Sequence, residues 1–233
     1  MSAVEQRKAI GHIDRRGVLL VFPVANRPRP RSLWSELHPR TKMRWEWDST
    51  GDGRVVGLWH LRAELARSGK VVYAKWFRNR ATFFSRAVFQ AMIGALMASG
   101  PLDAGLGPEA REILEILEDS SPQSTKALRK AAGLQGKMLE RPWNAALKQL
   151  WSRMLIVGFG EVDDGAFPSL AVGATRLLFE DLWLAARDRD EAGRAEDEAL
   201  LAATLADEPL FAKMFAEARA ELSARPGAAG VAP

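Results

Sequence analysis

The sequence predicts an α+β protein, on three observations. Residues 71–77, "VVYAKWF", alternate in the manner of a half-buried strand, and "RNR" then separates them from "ATFFS" as a turn separates the arms of a hairpin. Three short helical patterns between 108 and 154 are followed by two strand-like runs around Asp163-Asp164-Gly165. Beyond residue 178 the apolar positions return to helical spacing and stay there.

Along the chain, "GVLLVF" (17–22) predicts a short buried strand closed by Pro23. "VANRPRPRS" holds Arg27, Arg29 and Arg31 with two prolines and predicts an extended, exposed connection. The stretch "LWSELHPRTKMRWEWDSTGDG" predicts an aromatic, charged loop region ending in a turn. Val55, Leu58, Trp59, Leu61, Leu65 and Ala66 then keep helical spacing up to Gly69. After the hairpin of 71–85, Ser85 is placed to cap a helix over 86–98 with Val88, Met92, Ala95 and Leu96 on one side.

"SGPLDAGLGP" (99–108), with three Gly and two Pro, is the strongest boundary signal in the chain. After it, Pro108 opens a helix whose Ala110, Ile113, Leu114 and Leu117 form a stripe. Ser124 caps a second helix that Gly133 stops, and a third begins at Pro142 and buries Trp143, Leu147, Leu150, Trp151 and Met154. Three helices followed by a hairpin is the order of a winged helix-turn-helix, with the third helix as groove reader. The expected organisation is a basic α+β part over 1–104, this winged unit over 105–180, acidic C-terminal helices over 181–224 and a disordered tail over 225–233.

Charge is unevenly spread. Residues 1–100 carry 18 cationic against 7 anionic side chains, residues 101–160 carry 8 against 7, and residues 161–233 carry 7 against 15. A basic first part with an acidic end suggests a polyanion partner for the first and solvation or self-screening for the second. The chain has no cysteine and three histidines, which excludes disulfides, thiolate sites and a cysteine nucleophile and fits a cytoplasmic location. No apolar run is long enough for a membrane span and no signal-peptide pattern opens the chain, so no membrane is expected. No Gly-rich phosphate loop is present and no two histidines are spaced to share a helix face, so no cofactor or metal is expected.

The candidate binding residues follow from this plan. Opposite the apolar stripe of the third helix lie Arg141, Asn144, Ala145, Lys148 and Ser152, types that pair with base edges and phosphates in a major groove. Lys126, Arg129 and Lys130 on the second helix are placed to clamp phosphates. In the hairpin, alternation accounts for the rings, while Lys75, Arg78 and Arg80, with the Arg-rich connection, form a basic edge suited to double-stranded DNA. Glu161, Asp163 and Asp164 repel phosphates, so the tip of the second hairpin is excluded from the contact. The carboxylates Asp14, Glu36, Glu46 and Asp48 lie in the basic part without a visible pairing. "DSTGDG" (48–53) fails as a calcium loop because its twelfth position is Trp59.

Taken together, "GVLLVFP", "SLW…WEWD", "YAKWFRNRATFFS" and "ILEILEDSSPQSTKALRKAAGL…WNAALKQLWSRMLIVGFG" resemble the winged-helix proteins related to the AlkZ-type crosslink-repair and alkylpurine DNA glycosylases, over roughly residues 15–180. Members of that group stack several winged units beside a β-domain and excise bases with a Gln-x-Gln or Gln-x-Asp motif near the chain start. Here "IGHIDRRG" puts His12 and Asp14 where Gln-x-Asp would stand, and the chain is shorter. The resemblance therefore implies DNA binding without catalysis; the alternatives are a glycosylase using Asp14 and His12, and a homodimer or protein-docking module working through the C-terminal helices.

Overall fold

The computed structural model describes residues 3–45, 52–166 and 168–224. Glu46, Asp48, most of the 48–53 turn and the 225–233 tail lie outside the described residues. The fold is α+β. One antiparallel sheet of six strands, β1 (Val18–Leu20), β2 (Val72–Phe77), β3 (Arg80–Phe84), β4 (Gln123–Ser124), β5 (Ile156–Val162) and β6 (Ser169–Ala174), runs in the order β1-β3-β2-β5-β6-β4.

Each face of the sheet has its own core. On one face, α1 (Ala3–Arg16), α2 (Leu33–Leu37) and α3 (Gly53–Arg67) cover Leu19, Val71, Tyr73 and Phe83 with Ala9, Ile13, Trp34, Leu58 and Leu61. Helix α1 was not expected. Its signal is weak because only Ala9 and Ile13 of its own stripe are buried, although Arg15 and Arg16 suit a helix C-terminus. Helix α2 also falls in a stretch expected to be loop: the Ser32 side chain accepts from the Ser35 amide at 3.2 Å and starts one short turn.

The opposite face is larger. It packs α4 (Arg86–Ser99), α5 (Pro108–Asp119), α7 (Glu140–Ser152), α9 (Glu180–Arg187), α10 (Glu191–Leu205) and α11 (Pro209–Ser223) against Val18, Val72, Ala74, Trp76 and Phe84. The remaining helices, α6 (Thr125–Ala131) and α8 (Thr175–Leu178), flank β4 and β6. The Ser85 hydroxyl caps α4 by accepting from the Val88 amide at 3.3 Å, as its position predicts. One apolar side was expected for α4; instead Val88, Phe89, Ala91, Met92, Ile93, Ala95 and Leu96 are all buried, because α9, α10 and α11 close over it. A helix apolar on nearly every side is a buried helix.

Two consequences bear on function. The sheet is continuous from β2 to β5 through Tyr73 opposite Gly158, so it joins the segments on either side of 99–108. A Cβ on Gly158 would lie 2.3 Å from Tyr73 Cδ1, so a side chain there would separate the two hairpins. The acidic C-terminal helices also meet part of the basic charge. Arg29 pairs with Glu208 at 3.0 Å, Arg31 with Asp207 at 3.1 Å, Arg153 with Glu221 at 3.2 Å, and Arg86 with Asp181. Two of the three arginines of "VANRPRPRS" are therefore committed within the molecule. No described helix is long and apolar enough to cross a membrane.

Candidate nucleic-acid interface

Segment 108–174 runs helix, short strand, helix, helix, hairpin: α5, β4, α6, α7, β5 and β6. Ser124 Oγ accepts from the Ala127 amide at 3.0 Å to start α6, and Gly133, at φ +65, ends it. Helix α7 then buries Trp143, Ala146, Leu150 and Trp151 and leaves Arg141, Asn144, Ala145 and Lys148 exposed. Arg141, Asn144 and Lys148 make no side-chain hydrogen bond or ion pair among the described residues. Ser152 is half-buried and its hydroxyl donates back to the Gln149 carbonyl at 2.9 Å, so it is spent within the helix.

The three cations of α6 have different surroundings. Lys126 donates to the Asp164 carbonyl at 2.7 Å and fixes the tip of the second hairpin. Arg129 donates to the carbonyls of Leu134 at 2.7 Å and Gly136 at 3.1 Å, and lies 5.9 Å from the centroid of the Trp143 ring. It is thus the brace of the α6–α7 turn. Lys130 alone is exposed and without a partner among the described residues.

The acidic hairpin tip is less repulsive than its sequence suggests. Glu161 is ion-paired to Arg62 of α3, and its carbonyl accepts from Arg67 at 2.7 Å. Arg62 is buried, donates to the Tyr73 hydroxyl at 3.3 Å and stacks 4.1 Å from the Trp59 centroid. The neighbouring Ser124 and Ser169 hydroxyls, with Lys126 nearby, hold the Asp164 carboxyl below the usual carboxylate range. Asp163 remains exposed and uncompensated.

In the first hairpin every ring is core. Tyr73, Trp76, Phe77, Phe83 and Phe84 are buried, and Tyr73 meets Phe83 edge-on at 5.4 Å. Arg78 and Asn79, at φ +50 and +60, form a tight turn that twists with the strands, and Arg78 and Arg80 point to solvent. Lys75 is half-buried beneath α3; burial and the nearby Arg62 charge lower its pKa. Because β5 runs antiparallel to β2, the turn at 78–79 and the tip at 163–166 sit at opposite ends of the sheet. From the Tyr73–Gly158 pair the turn lies five residues away in one direction and the tip five in the other, so at ~3.3 Å per residue the two ends lie on the order of 30 Å apart. Lys126, Arg129 and Lys130 therefore gather with the start of α7 at one end, and Arg78 and Arg80 lie at the other.

His12 and Asp14 are not brought together. Both lie on α1, two residues apart, so they point to different sides of the helix. The His12 ring meets Glu36 of α2 at 3.2 Å, and Arg16 Nε donates to the same carboxylate at 2.9 Å, a tie between α1 and α2. Asp14 is exposed, has no hydrogen bond or ion pair among the described residues, and its pKa is raised by partial burial.

With this geometry, a family model described as "AlkZ related" matches residues 4–198. The chain belongs to the AlkZ-related family. No curated protein and no solved structure matches it.

The match runs from α1 into α10 and so takes in the whole sheet and both hairpins of this AlkZ-related chain, with α11 beyond it. The residues that sequence reasoning missed in it are Arg62, whose helical position gives no sign of burial, and the bracing role of Arg129. A partial signal existed for the second: an arginine one turn before a Gly-rich connection is well placed to satisfy that connection's carbonyls.

Proposed function

We propose that this AlkZ-related protein binds duplex DNA, with residues 108–174 acting as a winged helix-turn-helix, and that it does so without excising bases. The observation that carries the reading is the outer flank of α7, where Arg141, Asn144 and Lys148 stand exposed and unpaired while many cations elsewhere are tied to carboxylates or carbonyls. Asn and Arg or Lys at one helical flank are the types that read base edges and phosphates in a major groove. Lys130, at the α6 end, extends the same basic surface. The buried apolar residues of the C-terminal helices pack on α4 and the first hairpin, and Leu184, Leu200 and Leu210 stay partly exposed. Helix α7 is taken as the partner surface because its cations are unpaired among the described residues.

Binding is expected to show weak sequence preference and steep salt dependence. Replacing Arg141 and Lys148 together with alanine is expected to weaken binding several-fold, on the order of 1–2 kcal/mol, with a smaller salt slope. Unchanged binding by a variant whose circular dichroism matches the parent removes α7 from the contact. The same protein incubated with alkylated duplex is expected to release no base above the buffer rate. A lone exposed carboxylate, with no group converging on it, does not both position water and stabilise an oxocarbenium-like sugar. Release that disappears in Asp14→Asn would establish the glycosylase instead.

A further inference from the structure

The connection between α6 and α7 carries an apolar tip that the fold does not use. Met138 is 90% exposed and the adjoining Leu139 is 36% exposed. A single exposed apolar side chain is unremarkable on a protein surface, but this pair is displayed on a backbone that is held in place. Residues Lys137–Leu139 form a short 3₁₀ turn, closed by the Leu139 amide donating to the Gly136 carbonyl at 3.3 Å. Arg129 grips that carbonyl and the one at Leu134, and rests against Trp143 of α7. Gly136 supplies the φ of +90 that the turn requires.

Exposed cations adjoin the tip: Lys137 is next to Met138, Arg141 follows three residues on in α7, and Lys130 is next to Arg129, which holds the Gly136 carbonyl. An apolar point beside such cations is complementary to a polyanion with an apolar interior, which is what a stacked duplex presents. Glu140, also exposed beside the tip, disfavours seating a phosphate there and directs the contact to the bases. We infer that Met138, backed by Leu139, is a wedge that enters between base pairs and unstacks the step beside α7. Methionine is among the side chains suited to this, being unbranched and adaptable to an irregular gap. The inference rests on the reading of α7 as the groove helix.

The test titrates the full chain into duplexes carrying 2-aminopurine at successive positions, at low salt. Because binding has weak sequence preference, the parent protein is expected to raise the fluorescence at several of these positions on saturation. Met138→Ala is expected to bind with an unchanged salt slope and to lose that rise, and Met138→Leu to retain it. At this exposure neither substitution threatens the fold. Saturating binding with no rise at any position, or a rise that survives in Met138→Ala, overturns the wedge and leaves the DNA-binding reading standing. Failure of the parent protein to bind duplex at all removes both.

Discussion

Arg62→Met is expected to cost the protein about 3–5 kcal/mol in denaturant unfolding, the range for removing one partner of a buried ion pair. Arg62 is 6% exposed and joins three elements. It pairs with Glu161 of β5, donates to the Tyr73 hydroxyl of β2 and lies against the Trp59 ring of its own helix. Methionine keeps much of the volume and the contact with Trp59, so the loss is electrostatic rather than a cavity. It leaves the Glu161 carboxylate, with its side chain only 16% exposed, and the buried Tyr73 hydroxyl without their donor. The discriminating measurement is the double variant. Arg62→Met with Glu161→Gln removes the stranded charge and is expected to recover more than half of the loss. A single-variant cost below about 1 kcal/mol, or no recovery in the double variant, would show that the pair carries little of the α3–β5 attachment.

Phe211→Ala is expected to cost about 3–5 kcal/mol, as large aromatic truncations in a core do. Its ring is fully buried, 5.0 Å from the Phe77 centroid in an edge-on contact and 5.8 Å from that of Trp76. Through it the first turn of α11 docks on the end of the β2–β3 hairpin, the end that displays Arg78 and Arg80. Phe211→Leu, which keeps most of the volume, is expected to lose markedly less. Proteolysis within α11 of the alanine variant under native conditions should accelerate in step with the lost stability. A cost under about 1 kcal/mol would mean that α11 contributes little to the folded unit.

What the sequence determined is what neighbouring residues decide among themselves. Alternation over 71–76 set the faces of β2, although both faces are buried rather than one, and a bulge between Ala74 and Phe77 puts Phe77 in the same core as Trp76. The following "RNR" set a tight turn in which Arg78 and Asn79 adopt positive φ. Ser85 and Ser124 cap helices by accepting from amides three residues on, and Pro108 opens one at a position where a missing N–H costs nothing. The stripe of Trp143, Leu150 and Trp151 fixed which side of α7 is left outside, and with it the exposure of Arg141, Asn144 and Lys148.

The tertiary structure decided the rest, because periodicity reports that a face is buried and not what buries it. Strand β4 is a strand only by pairing with Ala171 and Val172. Tyr73 meets Gly158, and that pairing merges two hairpins into one sheet. Arg29 and Arg31 read as free cations until Asp207 and Glu208 are folded beside them, and Glu161 reads as a repulsive charge until Arg62 pairs with it. A charge's role depends on its nearest opposite charge and on its solvation. For these residues the opposite charge lies far along the chain, where local sequence carries no trace of it.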